Sequence, residues 1–494
     1  MKRISTWIIW IVCLGLAWSI FSPSKHSVHL PSQTNRYLIG AYYYLWYPKN
    51  FTKYGYLRKM LDPPQTPLLG VYDSSKIEVA EQHIAWCSQY GIDFLALNWW
   101  PTRPEQNRCI EDSFLKAKNI KDIRFCIFYE AWNLNWDPKT ATTVFTDQTI
   151  EKLIRDFSDM ADSYFYHPSY LRIQGRPVVI LYLTRTFTGR YHQAIARLRS
   201  EINKKGWNLF LIGDEVFWDA ISERIFRPPC LSVKPQSNRV RLFDAVTAYN
   251  MYEHGKKEYA GYGSQTRFLK DVAEKYREYF SLFRNKVGFV PNVIPGYNDR
   301  GVRRVSDHFV IPRQYDLGGK EASFLLENIV QTVLPYVDPR LNMVLITSWN
   351  EWNEDTAIEP LLLSGTTSKD QSPSGTLFTQ GFSYSGHGTV YLEMVRDQFV
   401  AVYGRVMDIH GQPVPGISVV AFKNRRIMAR DRSDSNGYYR LSRLHLHEGN
   451  YRVCPERYPK KDKQVVIVPE KAVCQDFTLD YQSILLRDAS LVSG

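Results

Sequence analysis

The stretch MVLITSWNEWNE, residues 343–354, decides the architecture. An apolar run, Met343 to Ser348, passes without a turn signal into Trp349, Asn350, Glu351 and Glu354. A short apolar run without strict alternation is how a strand buried on both faces of a parallel sheet reads. Seven runs of the same kind precede it: Tyr37–Tyr44, Ile92–Asn98, Ile123–Tyr129, Val178–Leu183, Leu209–Gly213, Ala245–Tyr249 and Val287–Val293. Between them, Ile77–Tyr90, Asp147–Tyr166 and Ser264–Phe283 carry helical periodicity. Eight strand–helix repeats predict an α/β fold, a (β/α)8 TIM barrel over residues 36–400. A doubly wound open sheet is the structural alternative. No G-x-G-x-x-G follows the first run, so a dinucleotide site has no support.

Past the eighth run the pattern changes twice. Ser364 to Gly388 is rich in Ser, Thr and Gly and reads as a long loop, and Thr389–Val402 as the helix that closes the barrel. From Tyr403, GRVMDIHGQPVPGISVVAF reads strand, turn, strand, and Asp434-Ser435-Asn436-Gly437 before YYRL is a further hairpin signal. Residues 403–481 predict a small β-sandwich, with 482–494 as a tail.

Composition narrows the classes. The chain has 494 residues, 44% hydrophobic and 23% charged, which excludes disorder and coiled coil as the main architecture. Aromatics reach 14%, and aromatic-rich sites bind sugars by stacking, although a large aromatic core gives the same count. The net charge of +12 is spread thinly, with no nucleic-acid motif, so no nucleic-acid partner is expected. At the N-terminus, Lys2 and Arg3 precede an apolar run from Ile4 to Phe21. Residues 1–30 therefore read as a signal peptide or an uncleaved single-span anchor, which places the rest outside the cytosol, secreted or membrane-anchored. No C-x-x-C pair exists, so zinc and redox motifs are absent, and whether Cys454 and Cys474 pair is left open. The chain is read as a monomer.

In a (β/α)8 barrel the residues after each strand line the active site. Those positions hold Tyr43, Tyr44, Trp46, Trp99, Trp100, Tyr129, Glu130, Asp214, Glu215, Tyr249, Tyr297, Asn298, Asp299, Trp349, Asn350, Glu351 and Glu354. Carboxylates, amides and aromatics recur there, while Lys and Cys are absent. That mixture suits a carbohydrate: aromatic faces for sugar C–H surfaces, amides and acids for hydroxyls. Glu351 and Glu354, three apart, face one side of a helical turn. Two close carboxyl groups cannot both ionise freely, so one is held protonated. Glycoside hydrolysis needs that pair, one acid for the leaving oxygen and one carboxylate as base or nucleophile. Helix capping, an Arg partner, or a metal site with Glu359 are the alternatives, the last without any accompanying His.

ITSWNEWNEDTAIEP resembles the signature of glycoside hydrolase family 99, the endo-α-mannosidases. AYYYLWY at the first strand, PLLGVYDSS at 67–75, HPSYLRIQGRPVVILY at 167–182, FDAVTAYN at 243–250 and PGYNDRGVR at 295–303 match in order and spacing. The resemblance implies retaining, endo-acting cleavage of α-mannosidic linkages in mannan-type glycans, with no metal and no cofactor. It implies Glu351 as the base that takes the proton of the sugar 2-hydroxyl, giving a 1,2-anhydro sugar, and Glu354 as general acid. It carries sugar contact to Glu130, His167 and Tyr249, and more loosely to Tyr44 and Trp99. From the strand-end reading, Tyr297, Trp349 and Asn350 join the substrate-binding set. The family usually places His, Glu, Gly after W-N-E-W, where this chain has Asn353, Glu354 and Asp355. Related domains of polysaccharide synthesis share W-N-E-W, so the alternative function is a non-catalytic or differently specific glycan-binding or polysaccharide-assembly protein on the same barrel. Residues 402–494 resemble the carboxypeptidase regulatory-like β-sandwich, which implies an accessory role. Their 15 Lys+Arg against 10 Asp+Glu suit an anionic glycan or cell surface.

Overall fold

Eight strands follow the eight apolar runs: β1 (Leu38–Tyr43), β2 (Phe94–Trp99), β3 (Arg124–Tyr129), β4 (Arg176–Leu181), β5 (Phe210–Asp214), β6 (Ala245–Thr247), β7 (Gly288–Phe289 with Asn292–Val293) and β8 (Met343–Ile346). The computed structural model describes residues 36–53, 55–218, 237–252, 265–304, 308, 310–315 and 319–480. The N-terminal apolar run, Cys13, Cys230 and the tail 482–494 lie outside the described residues. Among the described residues no helix is long and apolar enough to cross a membrane.

Each strand pairs in parallel with the next, and β8 returns to β1, Leu38 opposite Met343 and Ala41 opposite Ile346. The ring is thus closed, which decides against the open doubly wound sheet. Every residue of β1, β2 and β8 is buried, as expected for strands with side chains on one face and helices on the other. The Val287–Val293 run is not one continuous strand. Pro291 has no N–H to give to a ladder. Gly288–Phe289 pairs with β6 and Asn292–Val293 with β8, while the Pro291 carbonyl still accepts from Leu345 N at 3.0 Å.

The outer layer is helical. Helix α1 (Ile77–Tyr90) stops at Gly91, whose φ of 90° supplies the left-handed cap. Helix α2 (Asp147–Ser163) starts where Thr146 accepts from Thr149 N, and ends ahead of the His167-Pro168 turn rather than at Tyr166. Helices α3 (Tyr191–Lys204), α4 (Gln265–Phe283) and α5 (Val390–Phe399) follow. The loop after β8 contains a two-stranded hairpin, Ser364–Thr367 with Tyr384–Gly386.

The final helix gives way to a strand at Val400, not at Tyr403. Strand β9 (Val400–Asp408) pairs with β12 (Tyr438–Ser442), β15 (Val473–Cys474) and β16 (Phe477–Leu479). Facing it is a sheet of β11 (Arg426–Arg432), β10 (Ser418–Lys423), β13 (Gly449–Pro455) and β14 (Lys463–Ile467), in that order. Val402, Val419, Tyr439, Val453 and Ile467 fill the space between, a core separate from that of the barrel. Cys454 is buried on β13, Cys474 is exposed beside β9, and both are free thiols.

The sandwich is bolted to the foot of the barrel, the end where strands begin. Arg36, just before β1, meets Asp93, just before β2, at 3.2 Å and Asp431 of β11 at 3.4 Å. Ser88 donates to Asp434, and Ser435 donates to Asp122, just ahead of β3. The described residues of barrel and sandwich fall in one compact unit.

Gly40 tests the barrel packing. A Cβ there would run into the ring of Phe94, itself fully buried and without room to turn. Gly40→Ala should destabilise the fold by about 1–3 kcal/mol, read from urea unfolding; an unchanged midpoint would show that the wall between β1 and β2 is looser than described.

Candidate active site

The mouth of the barrel is assembled from the chain that leaves β8. The Asn350 side chain accepts from Tyr44 N at 2.8 Å and donates to Tyr44 O at 3.0 Å, continuing the β1–β8 ladder with a side-chain rung. The Tyr47 hydroxyl donates to Asn350 O. At the far end of the same turn, Asp355 accepts from Arg58 at 2.7 Å and Arg313 at 3.0 Å, all three buried. Between these two fixed points sit Glu351 and Glu354.

Glu351 is 4% exposed. Its N–H donates to Ser348 Oγ at 2.7 Å, and its Oε1 accepts from Asn353 N at 2.9 Å. Burial first, and the charge of Glu354 next, push its carboxyl well above the usual carboxylate range. Glu354 is half-buried, and its Oε2 accepts from the Tyr252 hydroxyl at 2.7 Å. A third carboxylate, Glu130 after β3, accepts from Asn98 Nδ2 at 2.5 Å and Trp132 Nε1 at 2.6 Å. Burial pushes it up to about 7, although both hydrogen bonds pull it down. Tyr44 lies in the field of all three carboxylates, and its hydroxyl bonds that of Tyr249. After burial, these negative charges help hold the Tyr44 phenol protonated.

Aromatic rings border this acidic centre. Tyr44 stacks on Trp46 at 4.3 Å, Trp46 lies 6.1 Å from Trp100, and Trp100 lies 6.2 Å from Trp132. Opposite, Tyr252 stacks on Tyr297 at 4.3 Å. The structure therefore brings together Glu351, Glu354, Glu130, Tyr44, Tyr249 and Tyr297. Asn350 is in the wall, its amide taken up by Tyr44 and by the Tyr72 hydroxyl at 3.1 Å.

Three residues expected at the site stand elsewhere. His167 packs 5.4 Å from Phe125, at the start of β3, and accepts from Ser169 N. Glu130 leaves the other end of that strand, about 16 Å away at 3.3 Å per residue. Trp99 stacks on Tyr129, whose hydroxyl bonds Asp156 of α2, so its ring lies between sheet and helix. Trp349 is fully buried against His83 of α1, likewise outside the ring of strands. Pleating sends alternate residues inward, and Trp99 falls on the outward alternate. Glu359 also faces this outer layer, accepting from Tyr72, His83 and Trp352, which removes it from any metal set with Glu351 and Glu354. Among the described residues, no cluster of three or more His, Cys, Asp or Glu is arranged to hold a metal.

Asn98, Trp132 and Tyr252 were not anticipated. Asn98 is the last inward residue of β2, a position that strict alternation picks out. Trp132 and Tyr252 come from loops, where no periodicity marks them.

The model of a family described as "Glycosyltransferase WbsX" matches residues 50–368. A rat protein named glycoprotein endo-alpha-1,2-mannosidase is 22% identical over 73% of this chain and 74% of its own length. The uncharacterized protein WxcX of Xanthomonas campestris is 23% identical over 64% of this chain and 44% of its own. A solved structure titled glycoside hydrolase-like protein aligns with a TM-score of 0.52 at 17% identity, covering 74% of this chain and 94% of that one. This last likeness supports the barrel fold.

Glu130 makes a pH prediction. Its carboxyl titrates at about 7 when folded against an ordinary 4.5, so its protonated form favours the folded state. That contribution is complete below 4.5 and is lost as pH rises through 7. Glu130→Gln should therefore raise stability at pH 8 relative to pH 5, compared with wild type, by on the order of 3 kcal/mol. Urea titrations at the two pH values measure it, and a pH-independent difference would deny the dry environment of Glu130.

Proposed function

The chain belongs to the family described as glycosyltransferase WbsX, and on that barrel we propose a retaining, endo-acting glycoside hydrolase that cleaves α-mannosidic linkages in mannose-containing glycans. The observation that carries the reading is the Glu351–Glu354 pair at the mouth of a closed barrel, with Glu351 dry and its affinity for protons raised. The named activity of the rat relative supports the substrate class.

A raised proton affinity is what a carboxylate needs if it must take a proton from a sugar hydroxyl. Glu351 removes the 2-hydroxyl proton, the 2-oxygen closes on the anomeric carbon, and the glycosidic bond breaks. Glu354 protonates the leaving oxygen, its other oxygen steadied by the Tyr252 hydroxyl. Water then opens the anhydro ring with both protons returning. The half-buried rings of Trp46 and Trp132 offer flat faces for the flanking sugars, and the buried Tyr252–Tyr297 stack builds the wall beside Glu354. No cofactor enters. The reading extends to an extracytoplasmic protein, secreted or anchored, on the strength of the Ile4–Phe21 run alone. A second reading is a polysaccharide-assembly protein, favoured by the family description. On the same residues, it requires only that a sugar hydroxyl replace water in the second step.

Glu354→Gln should cost about 10²- to 10⁴-fold on unactivated α-mannosides and far less on aryl mannosides with good leaving groups. Glu351→Gln should fail on both. Exposure to a 2-fluoro mannosyl donor should leave the enzyme mass unchanged, whereas an adduct on Glu351 would replace the anhydro route with a nucleophilic one. Release of neither product nor transfer product from any α-mannan would sink the catalytic reading.

A further inference from the structure

The outer face of the β11–β10–β13–β14 sheet carries two grooves, one at each end, well away from the barrel mouth. The first, of about 610 Å³, is lined by Ser418, Arg430, Arg432, Glu456, Arg457 and Tyr458 among others. The second, of about 590 Å³, includes Phe422, Lys423, Arg425, Asn450, Arg452 and Gln464. Strand register places one wall of each on the same face: Ser418 stands opposite Arg432, Val420 opposite Arg430, and Phe422 opposite Arg452, itself beside Gln464, while Lys423 reaches the second groove from the end of the sheet, over Tyr451. Ser418 and Phe422 are four residues apart on β10, about 13 Å at 3.3 Å per residue.

The charge in the grooves is one-sided. In the first, Arg430 and Arg432 are exposed, and among the described residues Glu456 pairs with Arg430. Asp431 lines the same groove, but its oxygens are engaged by Arg36 at 3.4 Å and Arg440 N at 2.7 Å toward the barrel. In the second, Lys423, Arg425 and Arg452 meet no lining carboxylate, and Asp462 approaches Arg452 from the side at 3.5 Å. The walls are fixed in advance. Ser433, 5% exposed, accepts from Ile417 N and donates to Val414 O, holding the Pro415–Ile417 turn that edges the first groove.

We propose that this face binds an extended acidic polysaccharide, one bearing carboxylate or phosphate groups at intervals, across both grooves. Two cationic grooves on one rigid sheet fit a polymer better than a single small anion, because the second contact then costs little additional ordering. Ser418, Asn450 and Gln464 lie among the cations and supply partners for sugar hydroxyls. A single-stranded nucleic acid fits less well. It needs open aromatic platforms, and here Arg452 already covers Phe422 at 5.0 Å and Tyr451 is buried in the core between the sheets. The site is independent of the chemistry proposed for the mouth, since it stands on the other module.

The test uses the full chain with a polygalacturonate fragment, a phosphorylated mannan, a neutral mannan and oligothymidylate, by fluorescence anisotropy at low and physiological salt. The paired substitutions Arg430→Ser with Arg432→Ser, and Lys423→Ser with Arg425→Ser, change exposed residues and should leave the fold and mouth activity intact. Each pair should weaken the acidic polysaccharide at least tenfold, and polygalacturonate against phosphomannan tells carboxylate from phosphate. Neutral mannan should be insensitive to them, and Glu351→Gln should leave acidic binding unchanged. No binding of either acidic polymer at low salt, or equal binding by the substituted proteins, overturns the proposal. So does tighter binding of oligothymidylate, or loss of phosphatidylglycerol-vesicle binding in the same variants with polysaccharide binding untouched.

Discussion

The pairing of the Asn350 amide with both peptide groups of Tyr44 is the contact on which the mouth depends. Strands β1 and β8 are where the barrel closes, and their backbone ladder ends at Ala41 and Ile346. Beyond it, two chains that diverge into loops would ordinarily lose register. A side-chain amide presents one donor and one acceptor, as a peptide does, so Asn350 extends the ladder without a strand. It thereby fixes Tyr44 on one side and Glu351, its chain neighbour, on the other. Behind it, Tyr72 bonds both Asn350 and Glu359, and Glu359 holds His83, so the rung is backed by a buried polar network reaching α1. A network of this kind is stiff because each member lost leaves a partner unpaired in a dry place.

That stiffness is needed, because the mouth holds charges that repel. Glu351, Glu354 and Glu130 converge on Tyr44, and the chain brings them there against their own electrostatics. Protonation relieves part of this, the charge of Arg303 eases Glu351 and that of Arg103 eases Glu130, and neutral donors add hydrogen bonds: Asn353 N to Glu351, Tyr252 to Glu354, Asn98 and Trp132 to Glu130. By contrast, three carboxylates of the surrounding frame are paired with guanidinium groups. Asp355 has Arg58 and Arg313, Asp214 has Arg185, and Glu215 has Arg239. Glu359 is the exception, a fold-building acid held by Tyr72, His83 and Trp352.

What was legible in the sequence is what burial and strand position constrain. The eight apolar runs were readable because a strand buried on both faces has almost no freedom in composition. Glu351, Glu354, Glu130, Tyr44 and Tyr249 were readable because a barrel puts its chemistry after its strands. Trp99 and Trp349 share those strand ends, yet their rings turn to the helical layer; the position of a residue along the chain gives its height in the barrel, and only the pleat gives its direction. His167 sits in a segment that matched a family pattern, and the turn containing it lies at the foot, beside Phe125. Tyr252 escaped because the loop after β6 has no period, and its partnership with Glu354 spans 102 positions of chain.

Topology also accounts for where the sandwich went. In this barrel the strands run from foot to mouth and the helices run back, so α5, the last helix, delivers the chain to the foot. The segment before β1 enters at the foot too. Anything joined to either end of the barrel is thereby gathered at one pole, which is why Arg36, on the way in, can reach Asp431, far along on the way out. The salt bridge ties the sandwich to the residue that starts the barrel, with Asp93 and Arg440 completing the cluster. One pole is left to the acidic, aromatic mouth and the other to a basic sheet, and a chain that meets both must do so from opposite ends of the molecule.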